Sequence, residues 1–421
     1  MTQTWVATSE LTKGMGKAVA VVSLMAISSH SFAAPVTCTP GADGSYLPGN
    51  TAPSCNDVVA TTVTQPNTAG WYILTRSRLY ETLNVGDTNV TATVTGGYGG
   101  IGNQYALGQN SAILPTSNAA ISTGNLTFVV RSVDGGALLG SHTGVNITTK
   151  NVDANLTANY GGGNSSGGVA QYGLLAGSTV NSGEGGTAYA GKYSTITTDN
   201  LTLVQTTTGG STNPILNNGI RAIQGAYGTL DTATTVGTQG RGSTGQVIVN
   251  GTLDMTLTGN RSVGIYVSGN KTNYGAANAL GLNGELTPKV ILNGDAKIVI
   301  NKGTGTSFTT WDSHGVKLGK VRYAGEGAGI LESHGALTID TTNALQGGGI
   351  KMMRNSLLDA SDAAASTTIK TNGYALEIGG HDDAARNGLL LTYEQAASNG
   401  VTASFNNAVF TTNGTSVDPL I

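Results

Sequence analysis

Two short phrases recur along the second half of the chain, and both alternate apolar with polar residues. The first starts at Asn250-Gly251, Asn293-Gly294 and His334-Gly335, at regular intervals of roughly 40 residues. The second is a Gly-Ile or Gly-Val pair followed by a polar or aromatic residue, at Gly219-Ile220-Arg221, Gly264-Ile265-Tyr266, Gly315-Val316-Lys317 and Gly349-Ile350-Lys351. Alternation with a period of two is typical of a strand with one buried face. Each unit therefore predicts two short strands with turns between them.

A strand pair of this kind cannot bury its apolar face alone, so the units are expected to stack. Stacking of extended rungs of roughly 20 residues predicts an all-β fold, a parallel β-solenoid with continuous ladders of Leu, Ile and Val. Weaker copies at Leu126, Ile147, Leu156 and Leu201 predict related rungs in the first half. We place the solenoid at residues 71–421, and residues 34–70 as an N-terminal cap or linker.

The composition agrees with strands and turns. The chain has 63 Gly among 421 residues and only 11% charged residues, and helix-forming residues never accumulate over a helix-length window. Gly and Asn accept the positive φ of tight turns, whereas β-branched residues fit a pleated surface. The net charge is −3, and no basic patch is interleaved with aromatic residues, so nucleic acid is excluded as a partner.

The segment 1–33 has the pattern of an export signal. Lys13 and Lys17 precede an apolar stretch at residues 18–27, and small residues follow. A positive flank, a short apolar core and small residues predict a secretory signal helix that is cleaved between Ala33 and Ala34. The core is too short to span a membrane.

The stretch before this core, at residues 5–17, contains a Trp, a Ser-Glu-Leu triplet and trailing Lys residues. It resembles the second half of the extended signal peptide region of type V secretion substrates, which include autotransporters, trimeric adhesins and haemagglutinin-like exoproteins. The first half of that region, with its early Asn-Lys and Tyr-Arg pairs, is missing here. The resemblance implies an autotransporter passenger folded as a right-handed parallel β-helix. It also implies export through the periplasm to the cell surface or outer membrane, or release from the cell.

The two cysteines, Cys38 and Cys55, follow soon after the predicted cleavage site. In an oxidising periplasm such a pair is expected to form one disulfide that closes a loop rich in Pro and Gly. Metal binding is a poorer interpretation, because two thiolates cannot complete a tetrahedral site and no histidine is near.

No motif predicts a catalytic, cofactor or metal site. The glycine pattern at residues 97–102 fits a dinucleotide-binding template, but Gly108 interrupts the helix that this template needs. Three adjacent residues, His381, Asp382 and Asp383, cannot all face one ion, so they favour a corner loop. His314 and His334 both lie in a Ser-His-Gly triplet, and we interpret them as equivalent turn residues.

We therefore expect a non-catalytic surface protein that acts in adhesion, with host glycans or surface proteins as partners. One alternative is a β-helix enzyme, a polysaccharide lyase or glycosidase, which needs clustered carboxylates or cations along one groove. Asp340, Glu377 and Asp382 are too scattered in sequence to be nominated as such a group. A second alternative is a structural stalk without a ligand. Only a short stretch, 401–421, follows Gly400, so we expect the passenger to be incomplete at its C-terminus and its β-barrel translocator to lie elsewhere.

Overall fold

The computed structural model describes the strands and the turns next to them, all within the unit Pro35–Ile421. The described residues are 57–58, 61–69, 74–75, 82–85, 87–95, 101–103, 120–132, 136–141, 146–160, 170–177, 193–209, 216–226, 241–270, 287–304, 313–319, 326–327, 329–345, 347–353, 356–379 and 400–413. The predicted signal helix, its cleavage between Ala33 and Ala34 and the Cys38–Cys55 disulfide lie outside these residues and stay predictions. In the described part of the chain, no helix has the length and apolar character needed to span a membrane.

The described residues form 28 strands, and all but one stack into three parallel columns. The first column contains β1 (Asp57–Val58), β4 (Thr82–Val85), β7 (Ala120–Thr123), β14 (Arg241–Val249), β17 (Lys289–Leu292), β21 (Ile330–Ser333), β24 (Leu357–Ala360) and β27 (Thr402–Phe405). The second contains β2 (Thr61–Ala69), β5 (Thr88–Thr95), β8 (Leu126–Ser132), β15 (Leu253–Thr258), β18 (Ala296–Asn301), β22 (Ala336–Asn343), β25 (Ser366–Thr371) and β28 (Ala408–Thr412). Two longer strands run through both of these columns, β10 (Asn146–Tyr160) and β12 (Tyr193–Gly209).

The third column packs against the other two and completes each turn of the coil. It contains β3 (Leu74–Thr75), β6 (Ile101–Asn103), β9 (Gly136–Ser141), β11 (Ala170–Ala176), β13 (Leu216–Ala226), β16 (Ser262–Asn270), β19 (Ser313–Leu318), β23 (Gly347–Met352) and β26 (Leu376–Ile378). The short strand β20 (Glu326–Gly327) pairs antiparallel with the end of β16. Within the described residues the chain thus makes ten coils, nine of which contribute to all three columns.

The register confirms the predicted all-β parallel solenoid, but it corrects the length of a rung. Leu253 is paired with Ala296, and Ala296 with Leu337, so each copy of the first repeated phrase begins a new coil. One whole repeat unit is therefore a single coil. The prediction that a rung is half of such a unit is wrong, because each coil has three strands and long connections. The register also places β1 and β2 beside β4 and β5 of the next coil, so strands already begin at Asp57.

The core is built from ladders of like side chains, as the alternation predicts. In the second column Leu203, Met255, Ile298, Ile339 and Ile369 follow one another in register, and all are buried. Comparable aliphatic ladders run through the other two columns, at Ile196, Val247 and Val290 in the first and Ile220, Ile265 and Val316 in the third. Burial of these side chains against the coils above and below is the main stabilising contribution to the fold.

A glycine ladder faces this aliphatic ladder across the interior. It consists of Gly173, Gly219, Gly264, Gly315 and Gly349, and the last four begin the second repeated phrase. A β-carbon on Gly264 would lie 2.5 Å from Ile298 Cγ2 and 2.5 Å from the carbonyl oxygen of Gly315. The recurring glycine is therefore required by close packing, since no larger residue fits between the two columns.

The corner between the first and second columns is held by stacked side-chain amides. Asn151 Nδ2 donates to Asn125 Oδ1 at 2.7 Å, and Asn200 Nδ2 donates to Asn151 Oδ1 at 2.8 Å. The ladder ends on Asp87, which accepts from Asn125, and on Thr252, which donates to Asn200. These bonds add side-chain links between successive coils to the backbone pairing at this corner.

One inward position breaks the aliphatic pattern. Gln205 is fully buried between Leu156 and Leu257, and neither atom of its amide group has a hydrogen-bond partner. A buried amide without partners costs about 1–3 kcal/mol. We expect Gln205→Met, which keeps the shape of the side chain, to raise the stability by about this amount.

The thermal midpoints of native and variant chains, followed by circular dichroism, measure this gain. Gln246→Met is the matched control, because Gln246 is half-buried on the outer side of β14 and contacts Thr195 Oγ1 at 3.3 Å. The control should change the midpoint little. An equal or lower midpoint for Gln205→Met would contradict the interpretation.

Candidate functional site

The outer face of the second column is an extended surface that runs across successive coils in the described part of the chain. We define it by two ladders that point away from the core. One contains Thr127, Asp153, Thr202, Asp254, Lys297, Thr338 and Thr368, and the other contains Val129, Asn155, Val204, Thr256, Val299, Asp340, Lys370 and Thr411. Strict alternation of buried and outward residues in these strands produces the face.

The chemistry of this outer face is hydroxyl-rich and carries both signs of charge. Asp254 is in register with Lys297, and Asp340 is in register with Lys370, so the charges alternate along the coil axis. Val129 and Val204 are exposed on earlier coils of the same face, at 50% and 40%. Such a face offers hydrogen bonds and small apolar contacts over a broad area rather than a closed reaction site.

The outer side of the third column differs, because it holds buried charge. Arg221, Tyr266, Lys317, Lys351 and Glu377 follow one another in register on five successive coils. Arg221 and Lys351 are almost fully buried, at 6% and 3% exposure. We call this set the cation ladder.

Tyr266 lies between two cations of the ladder. The guanidinium carbon of Arg221 is 3.5 Å from the centre of the Tyr266 ring, and Lys317 Nζ is 5.1 Å from it. Arg221 Nη2 also donates to Ser268 Oγ at 2.9 Å. Burial raises the pKa of the nearby Tyr172 phenol, and the charge of Arg221 offsets part of this rise. Tyr172 therefore remains a neutral hydroxyl donor at physiological pH.

The other end of the cation ladder contains its carboxylate. Lys351 Nζ lies 2.9 Å from Glu377 Oε1, whereas His314 Nε2 lies 3.7 Å from Glu377 Oε2, which is long for a hydrogen bond. Burial alone would raise the pKa of Glu377, but His314 and Lys351 outweigh this effect and lower it to about 2. Glu377 is thus held as a carboxylate that neutralises Lys351.

No family model, curated protein or solved structure matches this chain.

Of the residues considered for an enzyme, Asp340 and Glu377 are described, and they are not brought together. Asp340 lies on the outer face of the second column, where it accepts hydrogen bonds from Thr342, while Glu377 lies in the third column. Asp382, His381 and Asp383 lie outside the described residues, as does most of the glycine pattern at 97–102. Among the residues that the structure describes, no three or more His, Cys, Asp or Glu side chains are grouped to hold a metal ion.

The two Ser-His-Gly triplets occupy different places, so the prediction that they are equivalent turns is wrong. His334 lies in the turn between β21 and β22, and its Nδ1 is 2.6 Å from Asp362 Oδ2 of the next coil. His314 is a strand residue of β19, buried over Gly348, which has no side chain to exclude the imidazole. The difference arises because the two tripeptides lie in different parts of the coil: that of His314 is in the third column, and His334 follows a strand of the first column.

The cation ladder was missed in the sequence, although the signal was present. Arg221, Tyr266, Lys317 and Lys351 are all the third residue of the second repeated phrase. Aligning the phrases by their glycine would have stacked these side chains. The stacking of these side chains was not apparent from the sequence, because the connections between the phrases have unequal lengths.

Proposed function

We propose that this chain is an exported β-solenoid that acts in adhesion or surface interaction without catalysing a reaction. In this proposal the outer face of the second column binds host glycans or surface proteins. The observation that carries it is the in-register stacking of outward Thr, Asn, Asp, Lys and Val side chains on consecutive coils.

The geometry of this outer face supports binding to an extended partner. From β8 to β28 it comprises eight strands, which at about 4.8 Å per spacing give a length of about 34 Å. The strands from β8 to β25 are each paired on both sides within the stack, so the backbone presents these side chains at a fixed spacing. Preorganised groups lose less conformational entropy on binding.

Export is the part of the proposal that rests on sequence alone. The basic flank with Lys13 and Lys17, the apolar core at 18–27 and the small residues around Ala33 support it. A cell-surface or secreted location would place the hydroxyl-rich face in contact with external partners. The resemblance to autotransporter passengers supports the same location.

Charge introduced on the outer face of the second column should remove binding. We expect the double variant Thr202→Glu/Val204→Glu to bind host cells and an array of glycans at least about tenfold more weakly, because both residues are exposed on β12, inside the face. The matched control is Asn146→Glu/Thr148→Glu, which adds the same charges at exposed positions of the first column. This control should bind like the native chain.

Two results would overturn the proposal. Equal binding by the native chain and the Thr202/Val204 variant would exclude this face as the interaction surface. Binding by an unrelated β-solenoid at the level of the native chain would show that the interaction is not specific to these side chains.

A further inference from the structure

The cation ladder contains a buried positive charge that lacks a counter-ion. Arg221 is 6% exposed, and its Nη1 is buried without a hydrogen-bond partner. In the described part of the chain the ion pairs join His314 and Lys351 to Glu377 and His334 to Asp362, and none of them includes Arg221. Four strand spacings, about 19 Å, separate Arg221 from Glu377 in the ladder.

The groups around Arg221 do not replace a counter-ion. The Tyr266 ring and the Ser268 hydroxyl are neutral, and Lys317, the next cation in the ladder, adds a second positive charge over the same ring. Desolvating a guanidinium costs more than a cation–π contact and one neutral hydrogen bond contribute together. An oxyanion beside Nη1 would satisfy both the charge and the open donor.

We propose that Arg221, with Tyr172, Tyr266, Ser268 and Lys317, forms a binding site for an oxyanion of an acidic polysaccharide, either a carboxylate or a sulfate group. A planar guanidinium fork suits both groups, and the Tyr172 hydroxyl can donate a further hydrogen bond. Lys317 lies two coils further along the axis, so a polymer with repeated anionic groups suits this site better than an isolated ion. The choice of a saccharide rests on the proposed surface function, whereas the anion site itself rests on Arg221.

The test is isothermal titration of the full chain with three polymers: polygalacturonate, dextran sulfate and uncharged dextran. The first two separate carboxylate from sulfate, and the third measures binding that needs no charge. We expect one or both polyanions to bind, with an affinity that falls as salt is raised, and dextran not to bind.

Arg221→Met keeps the aliphatic stem and removes the charge, so it should lose at least about tenfold in polyanion affinity. Its thermal midpoint should not fall, because the variant removes a buried charge that has no partner. Lys150→Met is the matched control, since it removes one exposed cation that lies outside both proposed binding surfaces, and it should retain binding. If Arg221→Met fails to fold, Arg221→Lys tests the site instead. This variant retains the charge but lacks the planar guanidinium, so it should bind the polyanions more weakly than the native chain does.

Unchanged polyanion affinity in a folded Arg221→Met, or in Arg221→Lys where the methionine variant does not fold, would overturn the inference. Equal binding of dextran, or no binding of either polyanion by the native chain, would overturn it as well. The Thr202→Glu/Val204→Glu variant separates the two proposals. If it keeps host-cell binding, the proposed adhesion face fails, while loss of polyanion binding in the Arg221 variant still upholds this site.

Discussion

Gly264→Val should prevent the solenoid from folding, with a loss of stability of about 3 kcal/mol or more, because the added side chain overpacks against the backbone. Any β-carbon at this position would lie 2.5 Å from the carbonyl oxygen of Gly315 and 2.5 Å from Ile298 Cγ2. The side chain of Ile298 can change rotamer, but the Gly315 carbonyl belongs to the next coil and cannot move without breaking that coil's register. Soluble yield and the β signal in circular dichroism measure the effect.

A second set of variants separates the two clashes at Gly264. Gly264→Ala is expected to be less severe than valine, and adding Ile298→Val should recover only part of its loss because the contact with the Gly315 carbonyl remains. Thr256→Val is the control for adding a β-branched apolar residue, since Thr256 points outward from the neighbouring column. A Gly264→Val chain that melts at the native temperature would show that the glycine ladder is not required.

Glu377 should make the fold sensitive to acid. Its pKa is lowered from an ordinary 4.5 to about 2, so the folded state binds this proton less readily than the unfolded chain does. The resulting stabilisation is fully present above about pH 4.5 and is lost as the pH falls towards 2, and it amounts to about 3 kcal/mol. Urea midpoints measured through this pH window should therefore fall steeply for the native chain.

Glu377→Gln should remove this dependence and lower stability at neutral pH. It leaves the Lys351 ammonium buried without its carboxylate, which typically costs about 3–5 kcal/mol. Glu332→Gln, the same change at a half-buried residue of the first column, is the control and should cost little. If Glu377→Gln unfolds at the native urea concentration and keeps the native pH profile, the ion pair contributes nothing measurable.

The two repeated phrases predicted the second and third columns because their signals are strong. The glycine of the second phrase lies where two columns approach closely, and the apolar residue after it, such as Ile265, faces the core. Short strands of the first column gave no such signal. The strand β17 spans only Lys289–Leu292, and its outward Ile291 is half-buried and apolar, so alternation is hidden.

The register between strands of successive coils was also not apparent from the sequence. Leu126 pairs with Val152 and Leu201 pairs with Leu253, although the second pair is twice as far apart along the chain as the first. Connections of such different length do not change which strands pair, since loops leave the coil at its corners. Arg221 and Tyr266 stack because each is the third residue of the same phrase, but the unequal connections hid this register.

Because each coil is bonded only to the coil before it and the coil after it, the molecule resists force unevenly. A pull applied along the coil axis loads the hydrogen bonds of the terminal coil first, and these open one after another rather than together. The last coil of the described residues, with β27 and β28, pairs with only one other coil among them, so it would detach at a lower force than the inner coils. Such a solenoid lengthens by releasing whole turns of unequal size, and its tensile strength is that of a single coil-to-coil contact.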